Sequence, residues 1–104
     1  MILLQNENYS DDDFFVSVGA ELLRHPSRVR VIKYLDTHKT GTVDDFAMVL
    51  GTSKNILAPH LKDLRTSAII RGEVTGSQVV YHLNRVVFKA HMTALSEYLN
   101  KYLQ

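Results

Sequence analysis

Apolar positions along the chain change their spacing several times, and each change marks an element. Residues 1–10 carry little pattern and read as a flexible arm. Asp11-Asp12-Asp13 then leads into Phe14, Phe15, Val18, Leu22 and Leu23, which recur at helical spacing. Acidic side chains favour a helix N-terminus, where unpaired N–H groups concentrate positive charge. A first helix is predicted over about 11–24. His25-Pro26-Ser27 interrupts it, and Pro26 suits the first turn of a new helix because its missing N–H has no partner there anyway. Val29, Ile32 and Leu35 lie on one face of that second helix, which runs to about His38, and Lys39-Thr40-Gly41 reads as a turn. Thr42 and Asp45 resemble a capping box ahead of the apolar face Val43, Phe46, Ala47 and Leu50, and Gly51 closes this short third helix. Ser53 can cap a fourth helix whose Leu57, Leu61 and Leu64 are four and then three apart. Two short helices across a tight glycine turn make a helix-turn-helix.

The period then drops to that of strands. Ile69–Thr75 and Gln78–Leu83 flank Gly76-Ser77, a hairpin or wing. From Val86 to the end, Val87, Ala90, Ala94, Leu95, Tyr98 and Tyr102 return to spacings of three and four, a terminal helix with few elements left to cover it. A second copy of the chain is the expected cover. The fold class expected is mostly α with a small β-hairpin, a winged helix-turn-helix in the order α-α-α-α-β-β-α. It is expected as one domain over 11–104 that forms a homodimer.

Composition narrows the function. The 104 residues suit one domain, and 45% apolar with 22% charged residues allow a core. No Cys is present, which removes disulfides, thiolate redox sensing and thiolate metal sites. No run approaches the roughly 20 apolar residues of a membrane span, and Met1 to Asn8 does not read as a secretory leader, so a cytoplasmic location away from membranes is expected. Net charge is only +1, but it is unevenly spread: residues 1–52 carry −3 and residues 53–89 carry +4. A basic middle in a near-neutral chain fits one face meeting phosphate, and equally an ordinary solvated face.

The order and spacing of the residues resemble the ArsR/SmtB family of bacterial regulators. Arg24 to Ile32 looks like the family's Pro-x-Arg opening of its second helix. Val43 to Ala47 with Leu50 to Ser53 is similar to its helix-turn-helix. His60-Leu61-Lys62-Asp63-Leu64-Arg65 matches its His-Leu-x-x-Leu-Arg segment, and Tyr81-His82-Leu83-Asn84 resembles the exit from its wing. The resemblance implies a homodimer that places its fourth helices in successive major grooves of double-stranded DNA, with the wings on flanking backbone. It implies a repressor rather than an enzyme, released by an unidentified inducer or protein partner. Only a helix or narrow ribbon fits the major groove, where base edges carry a full donor and acceptor code. Ser53, Lys54 and Asn55, early in the fourth helix, are the expected base readers. Lys62, Arg65 and Arg71 are better placed for phosphate, and Thr75, Ser77 and Gln78 sit at the wing tip. The expected dimer surface comprises Phe14, Phe15, Val18, Val87, His91, Ala94, Leu95, Tyr98 and Tyr102.

The chain departs from that pattern at its reading head. Family members usually carry a Ser and often a His or Arg where Ala58 and Pro59 stand here. Ala58 lacks a hydroxyl. Pro59 costs roughly 3 kcal/mol inside a regular helix, so the fourth helix is expected either to kink or to start late with Pro59 in its first turn. The family's glycine after this helix is Ala68. Metal sensing is not expected: Thr42 and Asp44 replace the family's helix-3 thiolates, and Asn84-Arg85-Val86-Val87 offers no ligand set for its helix-5 site. His25, His38, His60, His82 and His91 show no ligand spacing, and His60 is expected to bridge the fourth helix to its neighbours. No cofactor is implied. No spacing of Ser, His and Asp suggests a convergent catalytic site. Ala58 and Pro59 keep a second reading open, a winged-helix module that binds protein and has lost specific DNA readout.

Overall fold

The structure, a computed structural model, describes residues 8–103; most of the expected N-terminal arm lies outside them. Among the described residues the elements run α1 (Asp11–Leu22), α2 (Pro26–His38), β1 (Thr40–Gly41), α3 (Val43–Leu50), α4 (Lys54–Thr66), β2 (Ile70–Thr75), β3 (Gln78–Leu83) and α5 (Arg85–Tyr102). This is a winged helix-turn-helix. Each helix starts at a side chain that satisfies N–H groups left open by the helical ladder. Ser10 and Thr42 form reciprocal capping boxes with Asp13 and Asp45, while Ser53 and Asn84 cap α4 and α5. His25 caps α2 with its ring, its Nδ1 accepting from the Ser27 N–H at 3.0 Å. The cap of α1 is therefore Ser10, one residue ahead of the acidic run.

Two expectations about the sheet and α4 are corrected. Lys39-Thr40-Gly41 is not only a turn: Thr40 and Gly41 form a short strand opposite His82 and Tyr81, so the sheet has three antiparallel strands in the order β1-β3-β2. A two-residue strand carries no alternation for sequence reading to detect. Gly41 fits because a Cβ there would stand 2.7 Å from the Phe46 ring and 2.8 Å from the Tyr34 ring. The second correction concerns Pro59. The fourth helix starts at Lys54 and continues past it, so the late start is excluded. The helix tolerates Pro59 because its buried seam, Leu57, Leu61 and Leu64, anchors both sides of it. The only bond lost is the one the Asn55 carbonyl would accept, and Asn55 is exposed. Elsewhere the shifts are small: α1 stops at Leu22, and α5 begins at Arg85.

The core gathers Leu22, Val31, Ile32, Leu35, Phe46, Leu57, Leu61, Leu64, Ile69, Ile70, Tyr81 and Leu83, drawn from α1 to α4, both wing strands and the turn between. α1 and α5 pack against each other beside it. His91 is buried in that contact, its Nδ1 3.2 Å from the Phe15 carbonyl oxygen, where it must carry a proton to donate. Val18 and Val87 are half-buried against the core. All three were expected on the outer dimer surface; His91 instead faces inward, because the stripe that closes α5 onto α1 is the same stripe that periodicity reveals, while Val18 and Val87 keep part of their surface exposed.

The link from α4 to the wing stores strain. Ile69 N–H donates to the Leu64 carbonyl and Ala68 N–H to the Arg65 carbonyl, both at 2.9 Å, while Leu64 and Ile69 are fully buried. This closure needs a left-handed residue after the C-cap, usually glycine. Ala68 takes it at φ 64°. Replacing Ala68 by Gly removes a Cβ from a conformation that disfavours it, and is expected to stabilise the fold by about 1 kcal/mol. Urea unfolding of Ala68→Gly with an unchanged or lower midpoint would contradict this.

Candidate nucleic-acid interface

The local turn that presents α4 comes from Gly51, at φ 66°, and the Thr52 N–H bond to the Ala47 carbonyl at 3.1 Å, which end α3 and reverse the chain. At 3.6 residues per turn, the direction opposite the Leu57–Leu61–Leu64 seam passes between Asn55 and Pro59, with Lys62 and Thr66 further along. Ala58 lies on one shoulder of this crest and Ile56 on the other. All of them are exposed.

One buried charge fixes how α4 sits. Arg28, on α2, is 1% exposed. Its Nε donates to His60 Nδ1 at 3.1 Å, one terminal nitrogen to the Glu21 carbonyl at 3.0 Å, and the other to the Asp63 carboxylate. The guanidinium therefore ties the end of α1 to two residues of α4 separated by three. A buried cation of this kind persists only if its donors find acceptors. His60 thus bridges α4 to its neighbours, as the spacing implied. It must be neutral with its proton on Nε2, since Nδ1 accepts from Arg28. Burial holds its pKa below the ordinary 6.5, helped by His25, Arg28 and Arg24 nearby and opposed by Asp63. The His25 and His60 rings lie 4.4 Å apart.

The expected site residues divide into groups. Asn55, Lys62, Arg65, Arg71, Thr75, Ser77 and Gln78 are exposed, and their side chains have no hydrogen bond or ion pair within the described chain. Ser53 is partly occupied, its Oγ accepting from the Ile56 N–H at 3.2 Å. Lys54 pairs with Asp44 of α3 at 3.0 Å, on the flank of the helix away from the crest. Ala58 and Pro59 are exposed but offer no polar side-chain atom. The wing joins α4 through β2, which packs against it; β2 and β3 are paired out to Thr75 and Gln78, and Gly76 turns the tip at φ 65°. Sequence reading missed Ile56, whose side chain is 58% exposed. Its signal was an apolar residue off the leucine period of α4. It also missed the exposed Met48 and Val49 of α3.

Among the described residues no group of three or more His, Cys, Asp or Glu side chains could hold a metal ion. No helix among the described residues is long and apolar enough to cross a membrane.

No protein-family model matches the chain, and no curated protein matches its sequence. Solved structures do. An ArsR family transcriptional regulator superposes with a TM-score of 0.71 at 20% identity, covering 86% of this chain and 92% of its own. The antimony-specific transcriptional repressor AntR gives 0.68 at 19% identity over 99% of this chain and 94% of its own. NolR from Sinorhizobium fredii gives 0.68 at 20% identity over 88% and 91%. At these identities the likeness establishes the fold, and the sequence resemblance to the ArsR/SmtB pattern is seated on that fold.

The His60 geometry sets a pH dependence. A histidine whose folded pKa lies below its unfolded value leaves stability intact above 6.5 and removes it as pH falls from there toward the folded value, because the unfolded chain takes up the proton first. The urea midpoint is expected to drop between pH 7.5 and 5.5. It should drop less in His60→Gln, which keeps an acceptor for Arg28 but does not titrate. Equal slopes in the two proteins would rule out His60 as the source.

Proposed function

We propose that this chain is a sequence-specific double-stranded DNA-binding transcriptional regulator, a repressor that acts as a homodimer in the cytoplasm without a metal signal. One observation carries the reading: α4 packs against β2 of the wing, and Lys62 and Arg65 on α4 and Arg71 on β2 are exposed cations with no partner among the described residues. Cations at that position neutralise phosphate and release counterions, which supplies affinity without sequence information. The first turns of α4, ahead of these cations, are then the part that meets base edges.

The homodimer follows from the outer face of the α1–α5 pair. Phe15 on α1 and the adjoining rings of Tyr98 and Tyr102 on α5, 5.1 Å apart, are exposed apolar groups that a second copy would cover. A two-fold arrangement puts the two α4 helices on half-sites about one helical turn apart. A small-molecule inducer or a protein partner fits the chain better than a metal, since the sequence holds no thiol and Asn84-Arg85-Val86-Val87 carries no His, Asp or Glu.

A protein-binding module remains the second reading. The exposed apolar Met48, Val49 and Ile56 on the helix-turn-helix, together with Ala58 and Pro59, favour it. Salt separates the two. Binding to a random duplex should weaken steeply with salt, and Lys62→Ala should weaken it on all sequences while lowering the slope of log affinity against log salt by about one. Absence of duplex binding at low salt favours the protein-binding module. For the dimer, Tyr98→Glu places a charge in the covered face and should raise the dimer dissociation constant by about tenfold or more. Sedimentation velocity showing an unshifted monomer–dimer balance would remove Tyr98 from the interface.

A further inference from the structure

Resting on the DNA-binding reading, we propose that α4 reads A·T base pairs, with Ile56, Ala58 and Pro59 packing on thymine C5-methyl groups around a single polar reader, Asn55. The leading half of the helix has an unusual exposed surface. Pro59 lies on the crest, Ala58 and Ile56 on its shoulders, and Asn55 one turn earlier, all facing away from the core. The side chains of Ile56, Ala58 and Pro59 have no donor or acceptor. In the major groove the one apolar feature of a base edge is the thymine methyl, and an apolar side chain gains by covering it.

The polar groups present point the same way. Guanine is read by a bidentate Arg or Lys at O6 and N7. The only cation in the first two turns of α4 is Lys54, which lies on the flank toward α3 beside Asp44. Lys62 and Arg65 come at least a turn later, where phosphate is the nearer partner. Asn55 has a carboxamide with no partner among the described residues, and a carboxamide donates to N7 and accepts from N6 of adenine. An adenine at one position with thymines beside it matches this surface, and a guanine-centred site does not.

The experiment uses the whole protein and duplexes selected from a random pool. In the best selected duplex, each thymine of the half-site is replaced by uracil, which removes only the methyl, and each adenine by 7-deazaadenine, which removes only the N7 acceptor. Uracil at one to three positions per half-site should weaken binding by about threefold to fivefold each, the worth of one buried methyl. The 7-deaza change should weaken binding by about tenfold or more at one position, and Asn55→Ala should abolish that sensitivity while keeping the uracil effect. A second variant, Ala58→Ser, keeps the helix and should reduce the uracil effect at one thymine.

Tight, selected binding that is indifferent to uracil overturns methyl reading and leaves DNA binding intact. A selected core of G·C pairs does the same. A pool from which nothing is enriched, with no duplex binding at low salt, overturns the DNA-binding reading itself.

Discussion

The position of α4 depends on a guanidinium that cannot reach water. Arg28 is enclosed, and each of its three nitrogens needs an acceptor. The acceptors come from three places: a carbonyl at the end of α1, a ring nitrogen on α4 and a carboxylate one turn further along α4. A hydrophobic seam alone would let α4 slide or rotate at small cost. A planar fork with fixed donor directions does not, because any shift leaves a buried N–H unpaired at about 1–3 kcal/mol. Orientation is thereby imposed on α4, while its leucines supply the attraction.

The same demand explains the neutral His60. A base beside a buried arginine has to offer a lone pair, and protonation would turn an acceptor into a second donor aimed at the first. Asp63 balances the charge from a half-exposed position. Such an arrangement is stable near neutral pH and loses ground in acid, so the geometry of α4 and its proton balance are one property. Just past the C-terminal end of α4, Ala68 in a left-handed conformation fixes where the chain turns into β2. The C-terminal half of the helix is therefore set by local chemistry, and Pro59 in its middle costs little that the seam does not restore.

Much of this was legible from residue order. Thr42 with Asp45, Gly51, Ser53 and Gly76 each announce a cap or turn by a mechanism that needs only nearby residues, and all of them act in that way. The core face of α4 was legible because Leu57, Leu61 and Leu64 keep a helical period. The β1 strand was not, since two residues cannot show alternation and its pairing partner lies some forty residues away. His91 was misplaced because periodicity reports that a residue is covered, not by what. The Arg28 network links residues 32 and 35 positions apart, so only His60's bridging role could be anticipated and not its partners. On the exposed crest of α4 the pattern fails for a different reason: Ile56 and Pro59 break the expected polar face, and a rule is most often broken where a surface has a task besides folding.

That exposed apolar crest constrains how the molecule must work if it grips a duplex. Each protomer brings few unpaired cations to the groove side, so the sequence-independent part of its affinity is small and readily screened. Methyl contacts are individually weak, and one carboxamide supplies only one strong discrimination. A single protomer would then hold no site long enough to block it. Two copies joined along α1 and α5, as proposed, would change this, because the second α4 would bind intramolecularly at a high effective concentration and its free energy would add to that of the first. Dimerisation is in this view a requirement of the reading surface: the fewer polar contacts α4 makes, the more the specificity must come from spacing two weak readers one helical turn apart.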